Sequence, residues 1–165
     1  MEIRELTYSD VEEYYIYIKE WIKYDEKIVP QSSNIEHKNF YDYVDFLYNE
    51  KFNSEWVENI TLFCFENNEI LGAINIRYHL NKELLNVGGH IGYGVKKTKR
   101  GMGVATKLLS KGLEILKLRG CNYALLTCDS TNISSQKVIN EFNHQKLSNF
   151  KNPDGGITFR YKILL

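Results

Sequence analysis

Residues 99–109, KRGMGVATKLL, set Gly101, Gly103 and Ala105 two apart behind a basic residue and then run into an amphipathic pattern. Glycine costs backbone entropy on folding, so paired glycines in a short turn imply that something comes close to the backbone. A strand, a glycine turn and a helix start together form an anion site. The first N–H groups of the helix have no partner, and its positive end points outward. Phosphate is the anion that fits best. Lys96, Lys97, Lys99 and Arg100 stand beside the turn and would add positive charge, although a solvated loop accounts for the run and explains any one lysine better than a direct contact does.

Three phosphate motifs compete for this stretch. The P-loop requires G-x-x-x-x-G-K-[ST], and no glycine pair brackets four residues before a Lys-Ser/Thr, although Thr106-Lys107 is nearby. The dinucleotide pattern G-x-G-x-x-G matches at Gly101 and Gly103 but has Thr106 at the third glycine. Cys121 and Asn122 stand where its acidic partner belongs. A nucleotide enzyme would also need a carboxylate for Mg²⁺, for which Asp129 at a strand end is the one candidate. The third motif depends on the elements around the turn.

Those elements alternate along the chain. A short strand over 3–7 leads to Ser9-Asp10 as a helix cap, and a helix runs to about residue 27 with Val11, Tyr14, Tyr15, Ile18 and Ile22 on one side. A loop over 30–34 precedes a helix over 36–51 carrying Phe40, Val44, Leu47 and Tyr48. ITLFCF and EILGAINIRYHL, joined at Asn67-Asn68, read as a hairpin, with a third strand over 86–95 beside it. After the glycine turn come a helix over 103–118, a strand over 123–128, a helix from Asn132 to near Phe142 and a strand over 145–150. A turn at Pro153-Asp-Gly-Gly156 then leads to the terminal strand. The order predicts an α/β (α+β) fold: a mixed, mostly antiparallel sheet flanked by helices. It has one parallel crossover, around the helix that starts at Gly103.

Composition bounds the rest. The chain has 165 residues, 43% hydrophobic and 25% charged, with two prolines, and reads as one domain over 1–165. The charged start MEIREL lacks the apolar core of a secretory signal, and no apolar run approaches a membrane span, so the expected location is cytoplasmic with no membrane partner. Cys64, Cys121 and Cys128 form no C-x-x-C, and His37, His79, His90 and His144 are scattered; buried thiols and no metal site are expected. A net charge of zero gives no reason to expect a nucleic-acid partner, but it conceals an asymmetry. Residues 1–60 hold 14 acidic and 6 basic side chains, whereas residues 61–165 hold 7 and 15. Solvated faces of different sign would account for this. So would a second half that faces an anion and a first half that faces a cation.

Arg100-Gly101-Met102-Gly103-Val104-Ala105 resembles the R/Q-x-x-G-x-G/A signature of the GNAT superfamily of acetyl-CoA-dependent N-acetyltransferases. The longer stretch GGHIGYGVKKTKRGMGVATKLL, the later LLTCDSTNISSQKVI and INIRYHLN are similar to a branch of bacterial predicted acetyltransferases. The resemblance implies acetyl-CoA as acetyl donor, held in a wedge where the strands ending at Val95 and Cys128 splay at a bulge; Gly92 and Gly94 suit such a bulge. It implies that the backbone of Tyr93, Gly94 and Val95 pairs with the pantetheine arm. Arg100, Gly101, Met102, Gly103, Val104, Ala105 and Thr106 would then hold the pyrophosphate. Asn132, three before Ser135, matches an asparagine that bonds the cofactor arm, and as a residue type it is equally a plain helix cap.

The implied chemistry is attack of an amine on a thioester through an oxyanion that N–H groups near Tyr93–Val95 would stabilise. Many relatives place an acidic tyrosine seven residues after the asparagine; here that position is Ile139, and Asn143-His144 replaces the usual Gly-Phe. Ser135 or water would then serve the leaving thiol, whose pKa of about 8.5 lets it depart as thiolate. His90 is the first candidate base, with Tyr93 next. A structural histidine is the alternative, because strand alternation puts His90 on the face opposite Ile91 and Tyr93 unless a bulge resets the parity. The expected acceptor is a small-molecule or peptide amine, cationic and drawn to the acidic first half. The alternative function is a catalytically silent acyl-CoA-binding or regulatory domain.

Overall fold

The computed structural model describes every residue except His37, Asn53 and Ser54. His37, one of the four histidines, therefore lies outside the described residues. Asn67 and Asn68, both at positive φ (51° and 60°), close the two-residue turn between β2 (Asn59–Glu66) and β3 (Glu69–Arg77), as their sequence predicts. β1 (Glu2–Arg4) pairs with β2, and β4 (Ile91–Val95) with β3, giving the antiparallel order β1-β2-β3-β4.

Alternation along these strands builds two cores. Phe63, Phe65, Ile70 and Ala73 face α1 (Val11–Lys23) and α2 (Phe40–Asn49), where Tyr14, Tyr17, Trp21 and Tyr43 are buried. Cys64, Ile74, Ile76 and Ile91 face α4 (Val104–Leu118), which buries Leu108, Leu109 and Leu116. The second group of strands, β5 (Tyr123–Asp129), β8 (Ile157–Leu164) and β6 (Gln145–Lys146), runs β5-β8-β6. β7 (Phe150–Lys151) also pairs with β8, and α5 (Ile133–Asn140) crosses between β5 and β6.

Several boundaries differ from the sequence pattern. The strand expected over 86–95 is shorter, because Asn81 caps a helix α3 (Lys82–Asn86) through Leu84 N–H and Gly88 and Gly89 turn at positive φ. The helix expected over 36–51 starts only at Phe40, where the Asn39 side chain caps it. The strand expected over 145–150 is two short pieces on β8.

The bulge expected at Gly92 and Gly94 is absent, since β3 and β4 pair in unbroken register from Gly72↔Val95 to Ile76↔Ile91. The register shift in this sheet lies instead at Cys64/Phe65. Gly94 is required by packing: a Cβ there would stand 2.0 Å from the Val29 carbonyl oxygen of the chain joining α1 to α2.

The two strand groups meet around His90, where Gly88 N–H also donates to Thr127 Oγ1 at 2.8 Å. His90 N–H donates to the Leu125 carbonyl at 2.8 Å, and Leu125 N–H donates to His90 Nδ1 at 2.8 Å. Beyond this pair β4 and β5, although parallel, form no ladder, and a V opens between them toward Val95 and Asp129.

Candidate active site

The V is a cavity of about 560 Å³ whose walls come from β4, the glycine turn, α4 and α5. Tyr93, Gly94 and Val95 line one side, and Arg100, Gly101, Gly103, Val104, Ala105 and Thr106 line its mouth. Asn132 and Ser135 complete it from α5. Met102 alone of the expected turn residues is not on the wall; half its surface is open to solvent.

Local conformation explains the mouth. Gly101 and Gly103 hold φ of 76° and 74°, and a Cβ on either would meet nothing within 4 Å, so both glycines leave open space above their amides. Gly103 is the N-cap of α4 and offers no side-chain acceptor, leaving the first-turn N–H groups of the helix for a ligand. A diphosphate fits this cradle.

The basic run behaves differently from the expectation that all four cations serve the ligand. Lys96 is buried, with Nζ 3.2 Å from Glu20 and 2.7 Å from Glu69; Lys99 lies 2.7 Å from Glu69; and Lys97 stands over the Tyr24 ring. Arg100 bonds Val95 O through Nε at 3.0 Å and pairs with Glu26. That pairing, above all the hydrogen bond from Arg100, holds the Glu26 carboxyl below its ordinary value. Lys96 and Arg100 tie α1 and the chain after it to the turn, because Glu20 and Glu26 of the first half reach them. Lys137 on α5 lines the cavity and, among the described residues, has no ion-pair partner. Neither it nor Glu141, which accepts Thr106 Oγ1 at 2.9 Å, was singled out by sequence; their spacing of three and seven residues from Ser134, which also lines the cavity, along one helix face was the signal.

At the base of the cavity Tyr93 Oη and Ser135 Oγ are 3.1 Å apart. Burial pushes the Tyr93 phenol up to about 12, so it keeps its proton and is a hydrogen-bond donor rather than a base at neutral pH. Asn132 Oδ1 accepts Ser135 N–H at 3.0 Å, so it caps α5 and also lines the cavity. Ile139, at the position of the expected tyrosine, is buried in the core.

His90 is buried, and its Nδ1 lone pair is used by Leu125 N–H. Neutral imidazole has one acceptor nitrogen, so Nε2 carries the proton and no lone pair is left for an incoming amine. Burial, with the Arg77 charge adding to it, pushes the ring down to about 4. The ring pins β5 to the start of β4.

The model of the acetyltransferase (GNAT) family matches residues 17–143, which include the second half of α1, the glycine turn and α5. The chain belongs to that family. No curated protein matches its sequence significantly. Among solved GNAT relatives, an acetyltransferase from Streptococcus pneumoniae superposes with a TM-score of 0.71 at 15% identity, covering 99% of this chain and 98% of that one. A ribosomal-protein-alanine N-acetyltransferase from Brucella melitensis gives 0.68 at 13% identity over 100% of both chains. The yncA protein from Salmonella typhimurium, solved with its cofactor acetyl-CoA, gives 0.66 at 13% identity, covering 99% of this chain and 93% of that one. At such identities the likeness is one of fold. Among the described residues no cluster of His, Cys, Asp and Glu is arranged to hold a metal, and no helix is long and apolar enough to cross a membrane.

Proposed function

We propose that this GNAT chain transfers the acetyl group of acetyl-CoA to a primary amine of a cationic acceptor, a small molecule or a peptide. The observation that carries the reading is the V between β4 and β5, open above the amides of Gly101, Gly103 and the first turn of α4. Acetyl-CoA would supply an activated acetyl thioester there. Gly101, Gly103 and the Val104–Thr106 amides would hold its diphosphate, the free edge of β4 at Tyr93–Val95 its pantetheine arm, and Asn132 would contact that arm beside its capping role. Arg100 joins them once released from Glu26.

The residues at the base suit acyl transfer in a specific way. Tyr93 and Ser135 offer hydroxyl hydrogens to a departing sulfur, and a thiol leaves as thiolate without full protonation. A phenol near 12 does not deprotonate an ammonium, and the proton acceptor of His90 is already engaged. The amine proton therefore leaves through water to solvent, and positioning supplies much of the rate.

The second reading, an acyl-CoA-binding domain without catalysis, is favoured by one observation: Ile139 is buried where relatives carry an acid. Labelled acetyl transfer onto a panel of amines separates the two. Acetyl-CoA is expected to raise the melting temperature, since a ligand that binds only the folded state stabilises it, and ATP and NAD to give little. Gly103→Val places a side chain in the cradle and is expected to remove that shift. A variant that responds like wild type would mean the turn does not hold the cofactor.

A further inference from the structure

Lys99, Arg100 and Lys137 are the cations on the wall of the V. Lys99 Nζ lies 2.7 Å from Glu69 and Arg100 pairs with Glu26, whereas Lys137 forms no ion pair among the described residues. Its side chain is exposed, so it keeps its full reach and its charge at neutral pH.

The neighbours of Lys137 locate the face of α5 that carries it. Ser134, Lys137, Val138 and Glu141 recur at helical spacing and all line the V, so one stripe of α5 looks into the cavity. Glu141, the C-cap of α5, reaches the other wall: its Oε2 accepts Thr106 Oγ1 at 2.9 Å, and Thr106 stands in the first turn of α4. Lys137 lies one turn before Glu141, about 6 Å along the helix axis. It therefore faces the Val104–Thr106 amides from across the cavity.

Glu141 is the anomaly. A carboxylate lines a cradle whose amides and helix end favour an anion, and it holds the hydroxyl of that first turn. Lys137 is four residues from it, a spacing at which an ion pair can form, yet the two are not paired; on α4, by contrast, Lys111 and Glu114 are joined at 3.0 Å. Lysine placed before glutamate is the weaker order for such a pair. The same stripe thus offers a diphosphate one uncommitted cation and sets one carboxylate against it.

We propose that this stripe of α5 sets the affinity of the V for the diphosphate of acetyl-CoA, with Lys137 binding it and Glu141 opposing it. The proposal rests on the acetyl-CoA reading of the V and adds a second wall to the site. Lys137 contributes a charge-assisted hydrogen bond from the side facing the amides. Glu141 works against binding twice, through its charge and through its hold on Thr106 Oγ1, which passes to a phosphate oxygen when the diphosphate binds.

The test is the dissociation constant of the full chain for CoA and for 3′-dephospho-CoA, measured by titration calorimetry. Lys137→Met is expected to weaken both at least about threefold, as for the loss of one exposed charge-assisted hydrogen bond, and Lys137→Arg, which keeps the charge, to stay within about threefold of wild type. Glu141→Gln keeps an acceptor for Thr106 without the charge and is expected to tighten both. Both side chains are exposed, so these variants are expected to unfold as cooperatively as wild type. A smaller loss in Lys137→Met, an equal loss in Lys137→Arg, or a Glu141→Gln that binds no tighter overturns the proposal. So does a loss confined to CoA, since Lys137 would then read the 3′-phosphate. Should wild type bind neither compound, its melting temperature in inorganic pyrophosphate separates the two readings. A rise that Lys137→Met loses would refute acetyl-CoA as the ligand and leave the diphosphate site standing, and no rise overturns both.

Discussion

His90 and Tyr93 lie three residues apart and have opposite fates, set by what each can still exchange with a ligand. His90 gives its one acceptor nitrogen to Leu125 N–H, and its burial has a consequence for stability. The unfolded ring titrates near 6.5 and the folded ring near 4, so between these values the unfolded state takes up a proton that the folded state refuses. Stability from this group is therefore complete above pH 6.5 and declines as pH falls to about 4, by on the order of 3 kcal/mol. His90→Asn keeps an acceptor near Nδ1, and its unfolding free energy is expected to be flatter than wild type across that window; equal slopes would mean the ring is solvated. Its kcat/KM profile is expected to keep any acid limb that wild type shows, since the proton leaves by water. Tyr93→Phe removes the donor at the base of the V and is expected to lower kcat about tenfold with acetyl-CoA affinity unchanged, as for the loss of one hydrogen bond made as charge develops on sulfur.

At the scale of elements, the glycines separate into those that serve a ligand and those that serve packing. Gly101→Ala would add a methyl into open space and cost about 1 kcal/mol for its positive φ, whereas Gly94→Ala would press a Cβ onto Val29 O and is expected to cost about 3 kcal/mol in denaturant unfolding. Near-equal losses would show that the chain after α1 does not rest on β4. This contrast marks how much was legible in the sequence. The β2–β3 hairpin, α4 and its glycine turn were readable because alternation, Asn67-Asn68 and the run 100–105 are local signals. The seat of Val29 over Gly94 was not, since the two are 65 positions apart in the chain and nothing near Gly94 separates a bulge from a close approach. The two-residue strands β6 and β7 and the five-residue helix α3 are too short to impose a period. Asn132 was ambiguous for the same reason in reverse: one side chain both caps α5 and faces the cavity.

At the scale of the whole molecule, the opposite charges of the two halves meet near the mouth of the V. Glu20 and Glu26 of the first half take Lys96 and Arg100 of the second, and Glu69 shares Lys96 and Lys99. Burial works against the Glu20 carboxylate, but the hydrogen bonds from Thr98 and Lys96 hold it below its ordinary value, so α1 is anchored to the basic turn by a charged joint. Glu36 and Glu83 line a cavity of about 460 Å³ beside α2 and, among the described residues, pair with no cation. A cationic acceptor would feel those carboxylates before contact. Between 0.1 and 1 M salt the Debye length falls from about 10 to about 3 Å, so with acetyl-CoA saturating, the acceptor's KM is expected to rise several-fold while kcat changes little. Glu36→Gln and Glu83→Gln together remove both carboxylates, and in that variant KM is expected to start higher and to depend less on salt. An acceptor whose KM ignores salt, or a best acceptor that is acidic or neutral, would show that the negative wall has no part in steering it.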